Sequence, residues 1–167
     1  MSRAGWLRAE SPSTQPYDRD LVGKWQLFIP RSAIDDVWAS IAAAIERGEL
    51  GISGKVSTTL ADPRAHDANA HVVILYAADW RDVDDLRRML RRIRAAGMVQ
   101  PLYFKRDSET LSSQYSDRGP RTVSVWGSPA GDTIRTKWTG DGKKWVEVTD
   151  ENEAAIIAEI QAQDDLA

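Results

Sequence analysis

Residues 23–60, GKWQLFIPRSAIDDVWASIAAAIERGELGISGKVSTTL, change hydrophobic period twice, and those changes decide the fold. Residues 24–29 alternate: Trp25, Leu27 and Ile29 share one face, Lys24, Gln26 and Phe28 the other. Alternation of period two predicts a strand. Pro30 ends it. Ser32, with Asp35 three residues on, has the spacing of a helix N-cap. Ile34, Val37, Trp38, Ile41 and Ile45 then follow at helical spacing, and Gly48 and Gly51 close the helix. A second strand is expected around residues 55–60.

Residues 71–105, HVVILYAADWRDVDDLRRMLRRIRAAGMVQPLYFK, repeat the plan. The almost unbroken apolar run 71–76 reads as a central strand. Asp79 is the expected N-cap, Val83, Leu86, Leu90 and Ile93 the helical stripe, and Gly97 the stop. Residues 101–105 are the next strand. Two strand–helix–strand units of this kind lay one sheet with both helices on the same side, leaving the other side open.

Around this frame, residues 1–20 read as a flexible N-terminal arm, and 21–167 as a single α+β domain. The polar stretch 106–121 is long for a turn and has the length of a lid or binding loop. Strands are expected over 122–126, 133–138 and 145–149, the last two joined by a hairpin containing Asp141-Gly142. A closing helix covers roughly 151–162. The predicted fold class is therefore α+β: a curved, mainly antiparallel sheet, two main helices on one face, and a short C-terminal hairpin and helix.

Composition narrows the function classes. The 167 residues carry 22 Lys+Arg against 25 Asp+Glu, a net charge of -3, with 42% hydrophobic residues and no cysteine. Thiolate chemistry and Cys-based metal sites are excluded. No apolar run reaches the roughly 18 residues of a membrane span, and no signal core stands at the N-terminus, so a cytoplasmic protein without membrane partners is expected. Bulk nucleic-acid binding by charge is not expected; a local cationic pocket is compatible with the balance. His66 and His71 lack a third ligand nearby, so neither a metal nor another cofactor is expected. Seven Trp residues exceed ordinary usage, and Trp both fills cores and stacks on bases and cations. Trp25 and Trp38 read as core, and core is favoured over a stacking platform for Trp126, Trp138 and Trp145. The arginines at 87, 88, 91, 92 and 94 sit beside Asp82, Asp84 and Asp85 and read as a solvated face.

Alternation gathers candidate binding residues. Lys24 and Gln26 point away from the core side of the first strand. Lys55 shares a parity with Ser57, and Tyr103 with Lys105. Tyr76 ends the central strand. If these strands are neighbours, ammonium groups and phenols converge on the open side, where like charges repel unless they are solvated or hold an anion. Phosphate is the obvious anion, held by charge-assisted bonds. A nucleotide, an RNA 5′ end or a phosphorylated residue of a protein would supply it. An interaction module working through the helices or the N-terminal arm is the non-pocket alternative.

The segments GKWQLFIPRSAIDDVWASIAAAIERGELGISGKVST, HVVILYAADWRDVDDLRRMLRRIRAAG and PLYFKRDSETLSSQY resemble the basophilic-leukemia-expressed protein family, a domain of unknown function. That resemblance implies a fold like translation initiation factor 4E, a curved antiparallel sheet with helices on its convex side. A more distant resemblance is to the type III effector phosphothreonine lyases. On it, Lys24-Trp25-Gln26 falls on a Lys-aromatic-His strand, Lys55 on a lysine strand, Tyr76 on a tyrosine strand, and Lys105 or Arg106 on a late cationic strand. It implies Lys55 as the base that removes a Cα proton, with Lys24 and the other cations on the phosphate and Arg64 nearest to the phosphate-gripping arginine. Gln26 stands where the lyases have their acid histidine. Glutamine cannot deliver a proton, and a missing general acid costs about 10²–10⁴ in rate.

Overall fold

A computed structural model of the chain describes residues 5–58, 69–108 and 124–166. Its frame is one curved, antiparallel sheet of eight strands. In chain order these are β1 (Trp6–Glu10), β2 (Gly23–Pro30), β3 (Ser53–Ser57), β4 (Ala70–Ala77), β5 (Leu102–Arg106), β6 (Ser124–Ser128), β7 (Arg135–Thr136) and β8 (Val146–Glu147). Across the sheet the order is β1-β3-β4-β2-β5-β6-β7-β8. Among the described residues three complete α-helices accompany it: α1 (Ile34–Glu46), α2 (Val83–Ala95) and α3 (Glu153–Asp164).

Period-two alternation sets the core. Trp25, Leu27 and Ile29 of β2 and Val73 and Leu75 of β4 are fully buried on the helix side. Ile41 and Ile45 of α1 and Leu86, Leu90 and Ile93 of α2 close over them, as the helical stripes predict. Trp25 meets Phe104 edge-on, ring centroids 5.2 Å apart. Trp126 is also core, its indole N–H donating to the Trp80 carbonyl at 2.8 Å. Both helices end where the chain turns at glycine with positive φ, 75° at Gly48 and 100° at Gly97.

Four local expectations are corrected. The arm is not loose over its whole length: Trp6–Glu10 pairs along β3 as the edge strand. Ser32 does not cap α1; the N-cap position is Ala33, without a side-chain bond. Asp82, not Asp79, caps α2, accepting from the Asp85 amide at 3.1 Å. Asp79 is occupied instead by the Arg81 guanidinium at 2.7 Å. The expected strand at 55–60 begins earlier, at Ser53. Most of the proposed lid at 106–121 lies outside the described residues.

Candidate functional site

Residues opposite one another on antiparallel strands share a face, so the strand register assigns every candidate. Lys24 lies opposite Tyr76 of β4 and Lys105 of β5. Gln26 lies opposite Ile74 and Tyr103. Lys55 lies opposite Ile74 on one side and Arg8 on the other. Lys24, Gln26, Lys55, Tyr76, Tyr103 and Lys105 therefore share the open face, as the alternation predicts. Arg8 and Trp6 join them from the edge strand.

Lys55 is the electrostatic centre. Its ammonium lies 4.4 Å from the Trp6 ring centroid and 5.9 Å from that of Tyr76. Partial burial, then Arg8, then Lys24 lower its proton affinity below that of an ordinary lysine, while Asp107 partly opposes them. The Tyr76 phenol is pushed the other way, first by burial and then by Asp107, so it remains a neutral donor. Lys24 is the most enclosed of the cations: its side chain is 7% exposed and its Nζ donates to Asp107 Oδ1 at 2.9 Å. Asp107, itself 34% exposed on its side chain, is thus the resident anion of a cationic surface.

Arg106 does not belong to this group. It lies opposite Gly23, on the helix side, and its side chain is 7% exposed. The guanidinium sits 5.1 Å from the Trp80 ring and 4.8 Å from the Trp138 ring, and forms two bonds of 2.8 and 3.0 Å to Asp164. It fastens α3 to the sheet. Arg64 and His66 lie outside the described residues. His71 is buried on the helix side, its Nδ1–H donating to the Ser57 carbonyl at 2.6 Å. It does not face the lysines.

The arginines of α2 are committed to local partners. Arg87 contacts Asp84, Asp150 and Glu153 at 3.1–3.9 Å, Arg88 contacts Asp85, and Arg91 contacts Asp132 at 2.7 Å. Arg94 donates to the backbone carbonyls of Met98, Gln100, Ser128 and Gly131. The carboxylates of Asp84, Asp150 and Glu153 lie within 4.8 Å of one another, and their charge is answered by the Arg87 guanidinium among them. A separate groove of about 430 Å³, lined in part by Leu7, Ile34, Trp38, Val56 and His71, opens away from the lysine group.

Several open-face residues escaped the sequence reading. Arg8 and Trp6 were assigned to the arm and Asp107 to the loop. At the far end of the face Arg135 and Lys137 lie over Trp145, at 4.6 and 5.2 Å from its ring centroid. Trp145 is half-buried among cations and is not core. Among the described residues no helix is long and apolar enough to cross a membrane.

The family model described as basophilic leukemia-expressed protein Bles03 matches residues 19–111. That stretch holds Lys24, Lys55, Tyr76 and Lys105, whereas Arg8 and Trp145 lie outside it. The match spans more than half of the chain, and the chain belongs to the basophilic leukemia-expressed protein Bles03 family.

Proposed function

We propose that the chain binds a phosphorylated ligand on the open face of its sheet, with Lys24, Lys55 and Arg8 on the phosphate and Tyr76 as a neutral donor beside them. The observation that carries this reading is the convergence of three cations from three strands on one face: the register sets Arg8 opposite Lys55 and Lys24 on the same side, and both lower the proton affinity of Lys55. Lys55 bears a cost in the empty site that a bound dianion relieves. Lys105 lies opposite Lys24 on the same face, and Gln26 and Tyr103 border the group. The likeness to an initiation factor 4E fold is part of this proposal and supports a small phosphorylated ligand over a folded protein surface.

The test is calorimetric titration with inorganic pyrophosphate, a nucleoside monophosphate and a phosphothreonine peptide. Binding of at least one of them, lost in Lys55→Ala, is the expected result. Absence of heat at millimolar concentration for all three refutes the proposal.

One observation favours a second reading, β-elimination of phosphate by a lyase. Burial and the neighbouring cations move the proton affinity of Lys55 downward, the direction that a general base requires. Gln26 sits on the same face but cannot supply a proton. The lyase reading predicts free phosphate together with a dehydrated peptide, and a gain in rate for Gln26→His. Mass spectra showing only intact phosphopeptide in both proteins discard it.

A further inference from the structure

Beyond Lys105 the open face continues into a second group of cations and rings. Gly127 of β6 lies opposite Tyr103 of β5 and Arg135 of β7. Because Gly127 has no side chain, the Trp145 ring descends onto the sheet there. A Cβ at position 127 would stand 3.0 Å from Trp145 Cη2, 3.1 Å from Cζ3 and 3.7 Å from Tyr103 Cδ1. Tyr103 and Trp145 therefore flank one spot on the sheet, and Tyr103 is 45% exposed. Arg135 and Lys137 hold the indole by cation–π contact. Arg135 Nε is buried without a hydrogen-bond partner among the described residues.

Three strand spacings separate β2 from β7. At about 4.8 Å each they place Arg135 roughly 14 Å from the strand of Lys24, and the five spacings from β3 place it roughly 24 Å from the strand of Lys55, too far for one phosphate to serve both groups. Between them lie Tyr103, 45% exposed, and the half-buried ring of Trp145. A ligand that alternates anions with flat apolar faces at this scale is a single-stranded nucleic acid, whose unpaired bases stack on aromatic side chains while its phosphates follow the cations. A phosphopeptide offers one dianion and no regular succession of rings.

We propose that the open face is a track for a short single-stranded oligonucleotide, with one phosphate on the Lys24–Lys55–Arg8 group, bases on Tyr103 and Trp145, and a further phosphate on Arg135 and Lys137. This rests on the phosphate-binding reading above and extends it to a ligand class. A duplex keeps its bases stacked inside and cannot offer them to these rings, and the net charge of -3 gives it no bulk attraction, so duplex is held far more weakly than single strand.

The test compares a 5′-phosphorylated tetrauridylate with uridine monophosphate by fluorescence anisotropy and calorimetry on the full chain. The tetranucleotide is expected to bind at least about tenfold more tightly, since one stacked base alone contributes on that scale. Its affinity should fall with salt at a log–log slope of about −1.4, the value for two neutralised phosphates on a single strand. Trp145→Ala should remove most of the tetranucleotide's advantage and leave uridine monophosphate binding unchanged. Lys137→Gln and Gly127→Ala give the same readout if Trp145→Ala does not fold, the latter by pushing the indole off the sheet. Equal affinity for the two ligands overturns the track and leaves the phosphate site standing, as does an advantage that survives all three substitutions. A phosphothreonine peptide bound more tightly than the tetranucleotide overturns it too. Failure of every phosphorylated ligand removes both proposals.

Discussion

Asp107→Asn separates the two roles that a carboxylate beside Lys24 can play. In the native chain Asp107 Oδ1 accepts from Lys24 Nζ at 2.9 Å, and the Lys24 side chain is 7% exposed. Losing one partner of a fully buried ion pair costs about 3–5 kcal/mol, and losing an exposed one about 0–1 kcal/mol. Asp107 is a third exposed on its side chain, so water reaches the vacated position and the expected cost falls between these limits, at about 1–2 kcal/mol. For a chain of this size that lowers Tm by roughly 2–8 °C. The same substitution removes a competitor: an incoming phosphate no longer displaces a resident anion. The amide also withdraws the only influence that favours the Lys55 ammonium among those acting on it, which sharpens the demand for an external anion. Pyrophosphate affinity is therefore expected to rise about five- to tenfold, the equivalent of about 1–1.4 kcal/mol. Ligand at about 100 times its Kd then contributes about 2.7 kcal/mol and restores the lost Tm. Thermal melts with and without pyrophosphate, together with calorimetry, give both quantities. A Kd that is unchanged or weaker in Asp107→Asn refutes the argument, because it would make Asp107 a support for Lys24 and not a stand-in for the ligand.

Two further outcomes follow from the packing and the charges. The proton affinity of Lys55 is lowered in the fold relative to its ordinary value of 10.5, so between the two values the unfolded chain binds the additional proton and stability rises with pH. Urea denaturation of wild type and Lys55→Met from pH 7 to 10 should show the wild type gaining on the variant as pH increases; a constant difference contradicts it. Gly23→Ala places a methyl 2.2 Å from Phe104 Cε1 and 3.0 Å from the Lys105 carbonyl oxygen. Overpacking of this kind costs about 1–3 kcal/mol, and Phe104→Leu in the same chain should recover part of it; a loss below about 0.5 kcal/mol in Gly23→Ala alone would count against the close approach.

The helices and the faces of the central strands were legible because both follow from period. The stripes of α1 and α2 repeat at helical spacing over several turns, and Lys24, Lys55 and Lys105 could be assigned to faces by counting parity along each strand. Arg106 was misplaced for the same reason in reverse. Parity puts it on the face opposite to Lys105, and it entered the site as the alternative to Lys105 on the late cationic strand of the lyase resemblance, with β5 taken to end one residue early. The edge strand was invisible because WLRAE carries little apolar signal, and its alternation of Trp6, Arg8 and Glu10 against Leu7 and Ala9 acquires meaning only beside β3. The Asp79 and Asp82 caps differ by less than one helical turn, within the usual uncertainty of a helix start. Asp107 pairs with a lysine 83 positions away, and no local pattern announces such a contact.

Lysines on the open side of a sheet are ordinary when they are wet, and solvated charges cost almost nothing. Lys24 and Lys55 are not in that condition: one is nearly enclosed, and the other has lost proton affinity to burial and to its cationic neighbours. A chain selected for stability alone would carry apolar residues at such positions, since a desolvated like-charge group is worse than a well-packed hydrophobic one. The two readings differ in sign. If the lysines are structural, Lys55→Met and Asp107→Asn both destabilise the fold and neither has a consequence for anions. If they form a binding site, Lys55→Met leaves the empty protein at least as stable near neutral pH and abolishes pyrophosphate binding, while Asp107→Asn weakens the empty protein and tightens the complex. Only the second pattern opposes stability to binding at both positions, and that opposition is what a site held ready for an anion must show.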